Sequence, residues 1–115
     1  MNEMFGRPSA EELVEAVREF LERDVMTATE GRVQFHTRVA INALNTVQRE
    51  LELGAAQQAA HDDRLHELGF DNDAELAAAI RAGDVDDRYD EIKAAVALSV
   101  RDKLRVANPK YLDPP

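Results

Sequence analysis

Apolar residues recur along this chain at helical spacing, and no stretch shows the strict alternation of a strand. Leu13, Val17, Phe20 and Leu21 fall three or four apart with Val14 and Val25 beside them, while Glu15, Glu19, Glu22 and Arg23 take the other side. Pro8-Ser9-Ala10-Glu11-Glu12 stands at the start of this run. A serine there can accept from the amide of Glu12, and Glu12 can reach back to the serine's own amide, so a capping box opens the first helix. The pattern predicts that helix to end near Met26. Thr27-Ala28-Thr29-Glu30 offers a second capping box, and a long helix is expected from there to Leu53, with Gly54 as its stop. Its stripe is Val33, Ala40, Leu44, Val47 and Leu51, widened by Val39, Ile41 and Ala43. So wide a stripe calls for more than one packing neighbour.

From Ala55 to Leu68 the helical signal is weaker and closes at Gly69. Asn72-Asp73-Ala74-Glu75 caps a short Ala-rich helix that stops at Gly83. Asp86 or Asp87 then starts a last long helix through Tyr89, Ile92, Val96, Val100 and Leu104. Asn108-Pro109 must end it, because proline has no amide to donate and its ring clashes with the preceding turn. The expectation is an all-α protein: one domain over residues 1–115, a compact bundle of about five helices, two long and three shorter. Residues 1–8 and 109–115 are expected as extended tails.

Composition adjusts this picture in a few places. At 115 residues there is room for one modest core. Aromatic residues make up 5% and Trp is absent, so that core must come from Leu, Val, Ile and Ala. A core so thin would gain from a partner or a second copy, and a homodimer is among the expected states. With no cysteine, disulfides, thiolate metal sites and a cysteine nucleophile are excluded. No basic segment leads into an apolar run near Met1, and no stretch approaches a membrane span, so the cytoplasm is the expected address. A net charge of −9 argues against nucleic acid and anionic membrane surfaces as partners. The charge is also uneven. Residues 54–91 hold eleven acids against three bases, while residues 92–115 hold five bases against two acids, a polarity that can orient a protein partner.

Candidate chemistry is sparse. His36 falls on the face of Val33, Ala40 and Val47, where a buried imidazole beside an acid can act as base or ligand. The ordinary reading is a core-edge histidine bonded to a carbonyl or carboxylate. Lys103 shares a face with Val96, Val100 and Ala107, and its ordinary role there is to cover apolar surface while its head reaches water. Arg38, Asn42, Asn45 and Arg49 repeat at i, i+4, i+7 and i+11. Such a row can clamp a phosphate, a carboxylate or an acidic helix, although a solvated face is the common explanation. Asn is a poor helix former, and two of them mid-helix want a reason. His61-Asp62-Asp63 with His66-Glu67 lacks the i, i+4 histidine spacing of a helical metal site. Asp71-Asn72-Asp73 lacks the glycine and glutamate of a calcium loop. No phosphate-cradling glycine loop, nucleophile elbow or Ser/His/Asp constellation is visible, so neither a cofactor, a metal nor an enzymatic activity is expected.

Three segments carry a resemblance: Arg7-Pro8-Ser9-Ala10-Glu11-Glu12-Leu13, the stretch from Gly31 to Leu44 around Phe35-His36-Thr37-Arg38, and Val100 to Leu112 with Asn108-Pro109-Lys110-Tyr111. Together they resemble a bacterial family of small helical proteins classed as a domain of unknown function. Thr27 and Ile41 depart from its pattern, which has proline and alanine there. Members of that family are often encoded beside an aminoglycoside-phosphotransferase-like kinase and an acyl-CoA dehydrogenase. The resemblance therefore implies an accessory subunit of a phosphotransferase-like kinase in acyl-CoA metabolism, working where a hydroxyl is phosphorylated before elimination. The alternative is a module that binds a small anionic ligand, a phosphate or CoA ester, or an enzyme subunit that does so. Either way the expected binding residues are His36, Arg38, Asn42, Arg49, Lys103 and Asn108. Antiparallel packing of the two long helices would gather five of these, Arg49 aside, at one end of the bundle.

Overall fold

A computed structural model of the chain describes residue 4 and residues 6–113. Every regular element among them is helical. The chain divides into two compact units, Met1–Leu53 and Gly54–Pro115.

In the first unit α1 (Ala10–Phe20) starts at the expected capping box. The Ser9 hydroxyl accepts from the Glu12 amide and the Glu12 carboxylate accepts from the Ser9 amide, each at 3.2 Å. The helix runs on through a π-helical turn (Leu21–Val25) and a last α-turn (Met26–Ala28). The second capping box does not form. The Thr27 and Thr29 hydroxyls instead donate back to the Arg23 and Val25 carbonyls, both at 2.6 Å, because each lies on the turn being closed. The Gln34 side chain fastens this corner by donating to the Met26 and Thr29 carbonyls.

The next helix, α2 (Gly31–Leu68), runs for 38 residues, straight through Gly54. Glycine inside a helix costs only about 0.5–1 kcal/mol relative to alanine. The flanking Leu53, Ala55, Ala56 and Gln57 are good helix formers that offset so small a penalty. Two expected helices are thus one, and the count falls from five to four. In the first unit α1 and α2 run antiparallel: Arg18 bonds Gln48, 30 residues away, while Met26 meets Gln34, eight away. The less exposed lines are Val14 on α1 with Leu21 and Val25 in the π-helical turn that continues it, and Thr37, Ile41 and Leu44 on α2. Ile41 is the one buried large hydrophobic of this unit among the described residues.

The second unit holds the end of α2 with α3 (Asp73–Ala82) and α4 (Tyr89–Ala107). Asn72 caps α3 by accepting from the Glu75 amide at 2.9 Å. Gly83 closes α3 at φ +79, a left-handed conformation suited to glycine. Leu65, Leu68, Leu76, Val85 and Ile92 form a buried cluster, with Phe70, Ala79 and Ala95 packed against it. α4 is rotated from its expected orientation. Its inward line is Ile92, Ala95, Ser99 and Asp102, while Tyr89, Val96 and Val100 are exposed. After Asn108, residues Pro109–Leu112 form a 3-10 turn where an extended tail was expected. The expected extended run at 1–8 falls partly outside the described residues, as does the end of the tail at 114–115.

Candidate functional site

The expected binding residues divide between the units: His36, Arg38, Asn42 and Arg49 lie in the first, Lys103 and Asn108 in the second. His36 is exposed, at the edge of an open groove of about 340 Å³ lined by Leu21, Arg32, Val33, Thr37 and Ala40. Its ring meets Phe35 edge-on, with centroids 5.4 Å apart. Arg38 and Asn42 are exposed, and Asn45 and Arg49 are half-buried. The Arg49 guanidinium donates to the Thr46 hydroxyl at 3.1 Å, and that hydroxyl donates to the Asn42 carbonyl at 3.2 Å. Steps of about 100° per residue place this polar row on one side of the α2 contact line and Val33, Ala40, Val47 and Leu51 on the other. Lys103 and Asn108 are exposed.

A constellation that sequence reasoning missed lies in the second unit. His61 places Nδ1 2.7 Å from Ser99 Oγ and Nε2 2.7 Å from Asp73 Oδ1. Arg64 donates to Ser99 Oγ and to Asp102 Oδ2, both at 3.0 Å. Gln57 donates to the Asp102 carbonyl at 2.8 Å. With the proton on Nε2, the ring donates to Asp73 and accepts the serine hydroxyl, and every partner is satisfied. The signal was a pair of i, i+3 spacings, His61 with Arg64 and Ser99 with Asp102. Nothing local shows that two such pairs face each other.

Serine, histidine and aspartate in a row suggest a nucleophile, but the surroundings argue for a fastening. The Asp73 side chain is 76% exposed, so water weakens the carboxylate that would orient the base. Arg64 also donates to the oxygen that would have to attack, which draws electron density away from it. What the arrangement does is tie α2, the start of α3 and α4 together through polar groups that all have partners, half-buried except for Asp73.

Two other ion-paired groups hold helix ends. Arg88 forms a forked pair with Glu91 at 3.0 and 3.2 Å and donates to the Leu68 carbonyl at 3.0 Å, the last residue of α2. The Arg88 hydrogen bond holds the Glu91 carboxyl below its ordinary range. At the other end of the chain the Ser9 amide, and then its hydroxyl, does the same to Glu12. Among the described residues no three His, Asp or Glu side chains gather to hold a metal ion, and no helix is long and apolar enough to cross a membrane.

A family model described as a domain of unknown function (DUF6285) matches residues 27–111. No curated protein and no solved structure matches the chain.

Proposed function

The chain belongs to the DUF6285 family, and from that footing we propose that it is a helical interaction protein, an accessory subunit of a phosphotransferase-like kinase in acyl-CoA metabolism. The observation that carries the interaction reading is the first unit's apolar surface. Leu13, Val17, Phe20, Val33, Val47 and Leu51 are each between 41 and 55% exposed, on two helices that bury only one large hydrophobic among the described residues. Exposed apolar residues gathered in this way mark a surface that another chain covers. The kinase and its pathway come from the resemblance of the Arg7–Leu13, Gly31–Leu44 and Val100–Leu112 segments.

The polar row supplies specificity on this reading. Arg38 and Arg49 offer planar donors to carboxylates on a partner, and Asn42 adds an amide between them. Lys103 and Asn108 contribute from the basic end of the chain, where five bases stand against two acids in residues 92–115. The test is capture of the tagged protein from its native host, with bound proteins identified by mass spectrometry. The expected outcome is stoichiometric recovery of a phosphotransferase-like protein, reduced by Arg38→Ala with Asn42→Ala. Recovery of the bait alone overturns it.

The groove lined by Arg32 and His36 favours a second reading, in which an anionic phosphate or CoA ester rests its charge on Arg32 and its chain on Val33 and Ala40. On that reading acyl-CoA esters raise the melting temperature of the isolated protein, and Arg32→Ala abolishes the rise.

A further inference from the structure

We propose that the apolar surface of the first unit is closed by the same surface of a second copy of this chain, stacked antiparallel about a two-fold axis. The inference rests on reading the protein as an interaction module and names what covers that surface.

The exposed apolar residues of α1 and α2 form one face. On α1, Leu13, Val17 and Phe20 lie about 60–120° to one side of the contact line through Val14 and Leu21. On α2, Val33, Ala40, Val47 and Leu51 lie about 40–80° to one side of the line through Thr37 and Leu44. Between antiparallel helices the two displacements point the same way, so both sets share a surface. The groove confirms the sense of rotation independently: Leu21 meets Val33, His36 and Ala40 on that side. The row Arg38, Asn42, Asn45 and Arg49 falls on the opposite side.

The face is also large enough. From Ala10 to Ala28 the first helical run is about 28 Å long, and two helices side by side are about 20 Å wide. The resulting face of roughly 500 Å² is at the upper end of apolar patches on monomers. Pleated by its side chains, it approaches the roughly 800 Å² of accessible surface that each partner contributes to a stable interface. Two such two-helix layers placed face to face make a four-helix arrangement, which encloses the core that one hairpin cannot.

The charges at the two ends of the face favour a second copy over an unlike partner. Arg32 and His36 stand at the end of the face near the helical corner, and Glu50 stands at the other end, five turns further along α2. Among the described residues neither Arg32 nor Glu50 joins an ion pair within the chain. An antiparallel two-fold stack sets Arg32 of each copy against Glu50 of the other, twice, as an isologous interface requires. A parallel two-fold stack would instead lay α2 of one copy over α1 of the other and leave Arg32 and Glu50 at opposite ends. The face thus carries its own complement, and the polar row stays outside the interface.

The test is the mass of the 115-residue chain in solution, by sedimentation or light scattering across a range of concentrations. The expected result is twice the chain mass. Val17→Glu with Phe20→Glu should return one chain mass with unchanged helical circular dichroism. Should that variant fail to fold, charge reversal decides the matter: Arg32→Glu and Glu50→Arg each weaken association several-fold, and the two together restore it. A single-chain mass at every concentration overturns the proposal, and so does a dimer that the charge reversals do not touch. Capture of a kinase-like protein by a monomeric chain, lost on Val17→Glu, gives the face to that partner; the dimer then fails while the accessory-subunit reading stands. A dimer that captures no kinase has the converse meaning.

Discussion

The two units are built from the same kind of sequence and end in different states. In Gly54–Pro115, three helical segments surround Leu65, Leu68, Leu76, Val85 and Ile92, and a polar fastening of His61, Arg64, Ser99 and Asp102 continues the contact where the apolar residues stop. In Met1–Leu53, two helices meet along a single line with Ile41 and Thr37 beneath it, and most large side chains remain in water. The difference is one of geometry more than of composition. Two helices touch along one line, whereas a third closes a volume in which a side chain can be surrounded. An amphipathic pattern therefore states that a face will be covered without stating by what. In the second unit the chain covers it; in the first, something else must.

The largest effect should come from the enclosed volume. Leu65→Ala removes a nearly fully buried side chain and leaves a cavity in the cluster. A loss of about 2–5 kcal/mol is expected, measured by urea unfolding. The same truncation at Val17, made at a concentration too low for association, should cost no more than about 0.5 kcal/mol, as an exposed position does. A large loss at Val17 in dilute solution would mean that the first unit has a core of its own, and the contrast between the units would fail.

Next in size is the fastening. Arg64→Ala leaves half-buried Asp102 and Ser99 without their shared donor. A cost of about 1–3 kcal/mol is expected, since an acceptor that loses its partner keeps its desolvation penalty. Ser99→Ala removes a hydroxyl and its two contacts together and should be milder. If Ser99→Ala instead proved as damaging as Arg64→Ala, the hydroxyl would be holding more than helix position.

How much of this was legible depended on distance along the chain. The Ser9-Glu12 box and the Asn72 cap were readable because all their atoms lie within four residues, where backbone geometry fixes what can meet. Gly54 misled because a glycine is a weak local preference, and the helix formers on both sides outweighed it. Thr27 misled because the hydroxyl had a closer acceptor behind it than an amide ahead. The rotation of α4 was beyond local reading: Val96 and Val100 are the more apolar choice, yet Ser99 and Asp102 face α2 because Arg64 and His61 stand opposite, 35 and more residues away. Of the expected binding residues, Arg38 and Asn42 are exposed and Arg49 is half-buried along α2, and burial alone assigns them no task. Their role depends on a second molecule.

The smallest effect concerns acid, and it separates the units by where each is anchored. Glu12 has its carboxyl held below the ordinary 4.5 by the Ser9 amide. A depressed carboxyl contributes stability that is complete above its unfolded value and is lost as pH falls through the folded one. Below pH 4.5 the start of α1 should therefore loosen. Glu91 is depressed in the same direction by Arg88, but α4 is also held by Ile92 in the buried cluster. Amide hydrogen exchange in mild acid should show α1 losing protection while α4 keeps it. Glu12→Gln preserves the hydrogen bond to Ser9 without a titrating charge, so it should remove the pH dependence in α1 and leave its protection at neutral pH nearly intact. Equal loss in both helices, or loss in α4 first, would mean that the buried cluster is no firmer an anchor than the capping box, and that the second unit's enclosed core does not distinguish it.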